Sequence, residues 1–145
     1  FSMRGVLEEA GGIRLYDDSY NSNPPALEAV LRSLAGLPAG RKVAVLADML
    51  ELGEGEQALH RQAGKTAAES GWDVLVAVGP LAALIAEGAA KAGMDAAAIH
   101  LFPDSDAAAA SIAAIVRPGD LVLVKGSRGM RTEKIIAGLR PRGKE

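Results

Sequence analysis

Short apolar runs alternate with longer segments of helical periodicity along the whole chain, and this alternation sets the expected architecture. Ile13-Arg14-Leu15-Tyr16 reads as a strand, and Leu27, Val30, Leu31 and Leu34 after it fall on one face of a helix. The spacing predicts that helix over 24–35, with Asn23 as its N-cap, Pro24 at its first position and Gly36 as its stop. Lys42-Val43-Ala44-Val45-Leu46-Ala47 is apolar at consecutive positions, as in a parallel strand covered on both faces. An Ala-rich helix follows over 56–70, then a similar strand over 73–78 closed by Gly79-Pro80, and a helix whose face carries Leu81, Leu84, Ile85 and Gly88. A short strand over 99–102 precedes a helix lined by Ala108, Ile112, Ile115 and Val116. The last buried strand spans 120–124, and a final helix carries Ile135, Ile136 and Leu139.

Five strands alternating with five helices predict an α/β fold with a doubly wound, mainly parallel sheet, because parallel neighbours need helical crossovers of one hand. Residues 4–9, ahead of the hairpin-forming Gly11-Gly12, add an antiparallel edge strand at the N-terminus. Every strand-to-helix turn then lies along one sheet edge, where ligands of such folds sit. Residues 17–23, 48–51, 79–80, 102–105 and 125–128 are expected to converge there.

The chain of 145 residues suffices for one domain with one core. It has no cysteine, so disulfides and thiolate metal sites are excluded and a reducing, cytoplasmic setting fits. The formal charge is −2, and no apolar run approaches the roughly 20 residues that cross a bilayer. Neither a membrane nor a nucleic acid is an expected partner: aromatic stacking residues are few, and the one basic cluster lies on a net-acidic chain. Residues 1–3 read as a linker or cloning remnant, 4–140 as the domain, and 141–145 as a tail that Pro141 and Gly143 keep from being helical.

Familiar catalytic signatures are absent. The chain has no Gly-x-x-x-x-Gly-Lys-[Ser/Thr] phosphate loop and no Gly-x-Ser-x-Gly elbow. The loose dinucleotide match Gly53-Glu54-Gly55-Glu56-Gln57-Ala58 places two glutamates where a pyrophosphate would sit. His60 and His100 are too far apart in sequence to suggest a metal site. What remains is polar residues at strand ends, each with two readings. Asp18 caps a helix or pairs with a nearby arginine, or it binds a ligand. Asn21 and Asn23 make the turn or contact a ligand. Asp48 and Glu51 form a solvated acidic loop at a helix N-terminus or part of a site. Lys125, before Gly126-Ser127-Arg128, forms a surface salt bridge with Asp17 or Asp48, or receives a carboxylate or phosphate. On these residues alone, a free-standing nucleotide or small-anion binding module competes with a domain that supplies part of a larger site.

Three motifs in order, Asp17-Asp18-Ser19-Tyr20-Asn21-Ser22-Asn23-Pro24, Asp48-Met49-Leu50-Glu51-Leu52-Gly53 with His60 downstream, and Leu123-Val124-Lys125-Gly126-Ser127-Arg128-Gly129-Met130, resemble the C-terminal domain of the Mur ligase family. The likeness runs from about Met3 onward. Ala47 and Ser22 replace residues common in the family, and neither change removes a polar group. The resemblance implies a Rossmann-like domain of a cytoplasmic, ATP-dependent ligase of peptidoglycan precursors, which forms an amide bond through an acyl phosphate. It implies ATP and Mg2+ in the full-length enzyme, gripped mainly by a central domain, so this fragment holds no tight cofactor or metal and is inactive alone. The implied partners are the N-terminal and central domains, a UDP-MurNAc-peptide and D-alanyl-D-alanine. Carried over, Asp18 bonds the ATP ribose, and Tyr20, Asn21, Asn23 and Pro24 shape the nucleotide pocket. Asp48, Glu51, His60, Lys125, Ser127 and Arg128 face the dipeptide. Asp18 and Lys125 are thus expected to serve different ligands, outside the apolar core, and to be replaceable without unfolding.

Overall fold

In the computed structural model, which describes residues 6–18 and 22–139, the chain runs β1 (Val6–Ala10), β2 (Ile13–Asp18), α1 (Pro24–Ala35), β3 (Arg41–Ala47), α2 (Glu56–Glu69), β4 (Val74–Val78), α3 (Ala82–Lys91), β5 (Ile99–Phe102), α4 (Ser105–Ile115), β6 (Asp120–Lys125) and α5 (Glu133–Leu139). The strands form one sheet in the order β1-β2-β6-β3-β4-β5, antiparallel between β1 and β2 and parallel elsewhere. This is the expected α/β sheet with its antiparallel edge. The final strand of the chain sits inside it, between β2 and β3.

Local chemistry sets the element limits. Asn23 has extended backbone and its Oδ1 accepts from the Ala26 N–H at 3.0 Å, while Pro24 opens α1 without a wasted donor. Asp104 caps α4 in the same way through the Ala107 N–H at 2.8 Å. Consecutive apolar residues in the inner strands feed two cores. Ala44, Leu46, Leu75, Leu121 and Leu123 face α1, α2 and α3, whereas Val43, Val45, Val76, Val122 and Val124 face α4 and α5. Trp72 closes the first core and donates its indole N–H to the Leu31 carbonyl at 3.0 Å.

The predicted face of α3 is rotated. Ala82, Ile85, Ala86, Gly88 and Ala89 are buried, while Leu81 and Leu84 are only half-buried. The cause is the way α3 meets α2, through small residues. A Cβ on Gly64 would stand 1.8 Å from the Ile85 carbonyl oxygen, and one on Gly88 would stand 2.0 Å from that of Arg61. The helices touch backbone to backbone, and no larger residue fits the seam.

At the sheet edge where β3 and β6 begin, Arg41 grips Asp120 with two hydrogen bonds, Nε to Oδ1 at 3.1 Å and Nη2 to Oδ2 at 2.8 Å. Asp120 also accepts from the Arg117 N–H, and Arg41 donates to the Ile115 carbonyl. The bonded carboxylate holds the guanidinium above its usual pKa, against the opposing effect of burial.

Gly88→Ala replaces glycine in mid-helix, a change that ordinarily stabilises an exposed helix by about 0.5–1 kcal/mol. Here the new methyl meets backbone that cannot turn aside, so the variant is expected to lose about 1–3 kcal/mol or more. Urea denaturation of the two proteins checks the sign.

Candidate functional site

Parallel register carries the strand ends to one edge. Asp18 ends β2 opposite Lys125 of β6, Leu46 of β3 lies on the other side of Lys125, and Ala47 pairs with Val78 of β4. Lys125 stands centrally. Its Nζ donates to Asp18 Oδ2 at 2.7 Å, and its side chain is only 2% exposed. One expectation is thereby corrected. Lys125 pairs with Asp18, and the pair is buried rather than on the surface, because β6 has covered neighbours on both sides. Neither residue stands apart from the packed interior.

Asp48 follows β3 and is also buried. Its N–H donates to the Val78 carbonyl at 3.2 Å, extending the ladder by one residue, and its carbonyl accepts from the Ser127 N–H at 3.2 Å. The carboxylate turns to α3, where Oδ1 accepts from the Ala82 N–H at 2.6 Å. The predicted acidic loop at a helix N-terminus is therefore partly redirected: Asp48 serves α3, the neighbour across the sheet, and not α2, the next helix in sequence. Gly79 makes room with φ 113°, since a Cβ there would lie 2.5 Å from Asp48 Oδ1. Burial pushes the Asp48 carboxyl above the usual aspartate pKa, while the backbone N–H groups of Ala82 and Leu81 pull it back in part.

Beyond Asp48 the loop is tied at each step. Met49 N–H donates to His60 Nε2 at 3.0 Å, and Leu50 N–H donates to Ser127 Oγ at 2.8 Å. His60 is fully buried, and its Nδ1 lies 2.6 Å from the Glu56 carbonyl oxygen. Both ring nitrogens are thus engaged within the fold, in a residue expected from the resemblance to face the dipeptide. Glu51, next in line, is exposed and has φ 63°, a left-handed conformation that costs a non-glycine residue about 1–2 kcal/mol. Arg128 is likewise exposed, one residue past Ser127. The Leu50–Ser127 bond therefore sets a carboxylate and a guanidinium on adjoining loops.

The predicted residues fall into groups. Asp18 and Lys125 form the buried pair; Asp48 and Ser127 join strand ends and loops; Glu51 and Arg128 reach solvent. Asn23 uses its side chain to cap α1, with Pro24 beside it, while Tyr20 and Asn21 lie outside the described residues. Among the described residues no three His, Asp or Glu side chains are grouped to hold a metal. Sequence reading missed the Asp48 cap on α3, for which Gly79 at the close of β4 was the available signal.

Comparison with known proteins bears on the fold and the family. Residues 4–128 match the family described as "Mur ligase, glutamate ligase domain". The chain is 33% identical over 135 residues to the UDP-N-acetylmuramoyl-tripeptide--D-alanyl-D-alanine ligase of Bacillus subtilis, covering 92% of this chain and 29% of that protein. It is 36% identical over 141 residues to the enzyme of the same name from Mycobacterium tuberculosis H37Rv, covering 84% of this chain and 28% of the relative. The crystal structure of MurF ligase from Thermotoga maritima in complex with ADP superposes with a TM-score of 0.77 at 29% identity, over 96% of this chain and 30% of that one. The chain spans under a third of the length of each of these proteins.

Lys125→Met keeps most of the side-chain volume and strands the Asp18 carboxylate, so a loss of about 3–5 kcal/mol is expected. Asp18→Asn in the same chain should recover a large part of it, as a double-mutant cycle in urea will register. Asp48 gives a second expectation. Its raised pKa means that the native state binds its proton more tightly than the unfolded chain, so this group's contribution to stability falls as pH rises from the usual aspartate range through the raised value. Asp48→Asn should flatten that part of the stability profile, measured by melting across the acid range.

Proposed function

The chain belongs to the Mur ligase family, and on that premise we propose that it is the C-terminal domain of a MurF-type ligase, which joins D-alanyl-D-alanine to a UDP-MurNAc-tripeptide through an ATP-derived acyl phosphate. The observation carrying this reading is the match, across most of the chain, to relatives that bear this reaction in their names. A domain of this kind contributes to peptidoglycan synthesis in the cytoplasm, together with the N-terminal and central domains of the same enzyme.

The geometry supports reading a division of labour between the two ligands. Asp18, held by Lys125, accepts hydrogen bonds from the ATP ribose hydroxyls, with Asn23 and Pro24 at the start of α1 forming the adjacent wall. The ADP bound by the Thermotoga enzyme supports a nucleotide in this family. ATP and Mg2+ belong to the complete enzyme, with most of the metal's ligands expected from its central domain. Glu51 and Arg128 suit the two ends of a zwitterionic dipeptide: the carboxylate takes the ammonium and the guanidinium takes the carboxylate. Backbone N–H groups at Met49, Leu50 and Ser127 are already spent on the fold, so recognition falls to side chains. Closure of this edge onto the central domain, hinging before β1, then brings the amine to the acyl phosphate.

The 145-residue chain alone is expected to turn over no ATP, since ribose and base contacts cannot replace a phosphate loop with its metal. In the full-length protein, Asp18→Ala should raise the KM for ATP by about 10–100-fold, the worth of hydrogen bonds to a charged group. Lys125→Met should shift ATP use in the same direction, because it releases Asp18. Steady-state assays with each substrate varied decide this, and a full-length gene without a phosphate loop upstream of residue 3 would refute the assignment.

A further inference from the structure

Glu51 occupies a backbone conformation that favours glycine, and the chain does use glycine at 53 and 55, where φ is 75° and 83°. Of the three left-handed positions between the anchored segments, Glu51 alone carries a side chain, and that side chain is a carboxylate. Such a conformation persists only where the surroundings over-determine it. Upstream, the anchors are Asp48 N–H on the Val78 carbonyl, Met49 N–H on His60 Nε2 and Leu50 N–H on Ser127 Oγ. Downstream, Glu56 N–H on the Gly53 carbonyl closes the turn into α2.

His60 is the anchor that joins both sides. A backbone N–H can only donate, so Nε2 receives the Met49 bond through its lone pair and the ring proton sits on Nδ1, where the Glu56 carbonyl accepts it at 2.6 Å. One buried, neutral imidazole thus ties the beginning of the loop to the first turn of the helix that ends it.

We propose that His60 is a positioning residue: as the Nδ1–H tautomer it clamps the loop over 48–55 so that Glu51 is presented at the sheet edge to the ammonium group of the incoming amine. The clamp stands on the geometry above. Only its service to an amine rests on the function proposed in the preceding subsection.

Two variants separate clamping from folding. The amide of His60→Gln reaches the place of Nε2 and keeps an acceptor for Met49, whereas that of His60→Asn reaches only the place of Nδ1. Nitrogen-15 spectra of the chain at neutral pH should show His60 protonated at Nδ1 and bare at Nε2. Hydrogen exchange at the Met49 amide should quicken about tenfold or more in His60→Asn and stay near the wild-type rate in His60→Gln, as expected for loss of one hydrogen bond. In the full-length ligase, His60→Asn should raise the KM for D-alanyl-D-alanine about tenfold with the KM for ATP unchanged, and His60→Gln should restore it. A proton on Nε2, or unchanged Met49 exchange in His60→Asn, overturns the clamp. Equal rises in both KM values overturn the positioning of Glu51 and leave His60 a packing residue. A full-length protein that ignores D-alanyl-D-alanine refutes the proposed function and the service to an amine together, while tautomer and exchange still decide the clamp.

Discussion

Parallel strands that end together create a shortage of partners: ladder hydrogen bonds stop, yet the backbone and the side chains that follow are still out of reach of water. This domain meets that constraint with side chains and crossed loops. Lys125 and Asp18 neutralise each other between β6 and β2. Asp48 satisfies the start of α3, Ser127 satisfies Leu50 and reaches back to Asp48, and His60 satisfies Met49. Most of the polar residues that single out this edge are consumed in holding it together.

The edge therefore has an inner and an outer part. Inside, Lys125 balances the charge of Asp18, and Asp48, Ser127 and His60 take up backbone N–H groups. Outside, Glu51 and Arg128 carry opposite charges into solvent on loops that the inner bonds have stiffened. At the far end of the sheet the Arg41–Asp120 grip performs only the inner task, joining β3 to β6 where the strands begin.

Most of the fold was legible in the sequence because burial on both faces writes itself as consecutive apolar residues, and because Asn23-Pro24 and Gly36 mark α1 by local chemistry alone. The partners at the strand ends were not. Lys125 and Asp18 are 107 positions apart, and which carboxylate meets the lysine depends on β6 lying beside β2, a matter of strand order that local patterns do not carry. Asp48 was misdirected for the same reason, since the helix next in sequence is not the helix its carboxylate reaches. His60 was read as a ligand group because a histidine near a motif invites chemistry; only its burial and two engaged nitrogens give it another task. Glu51 and Arg128 remained legible as surface charges because both are exposed on the loops that follow their strands.

The place of β6 also bears on how the protein comes off the ribosome. β2 and β3 are made early but never touch; the strand between them is the last of the six to be synthesised. Until residue 125 has left the exit tunnel, the nascent chain holds two unpaired apolar edges facing a gap, the kind of surface that recruits other chains. Translation of the final helix is short by comparison, so the interval of exposure is set by the long stretch from α2 to α4. Slow translation across that stretch would lengthen the time for which those two edges stay open.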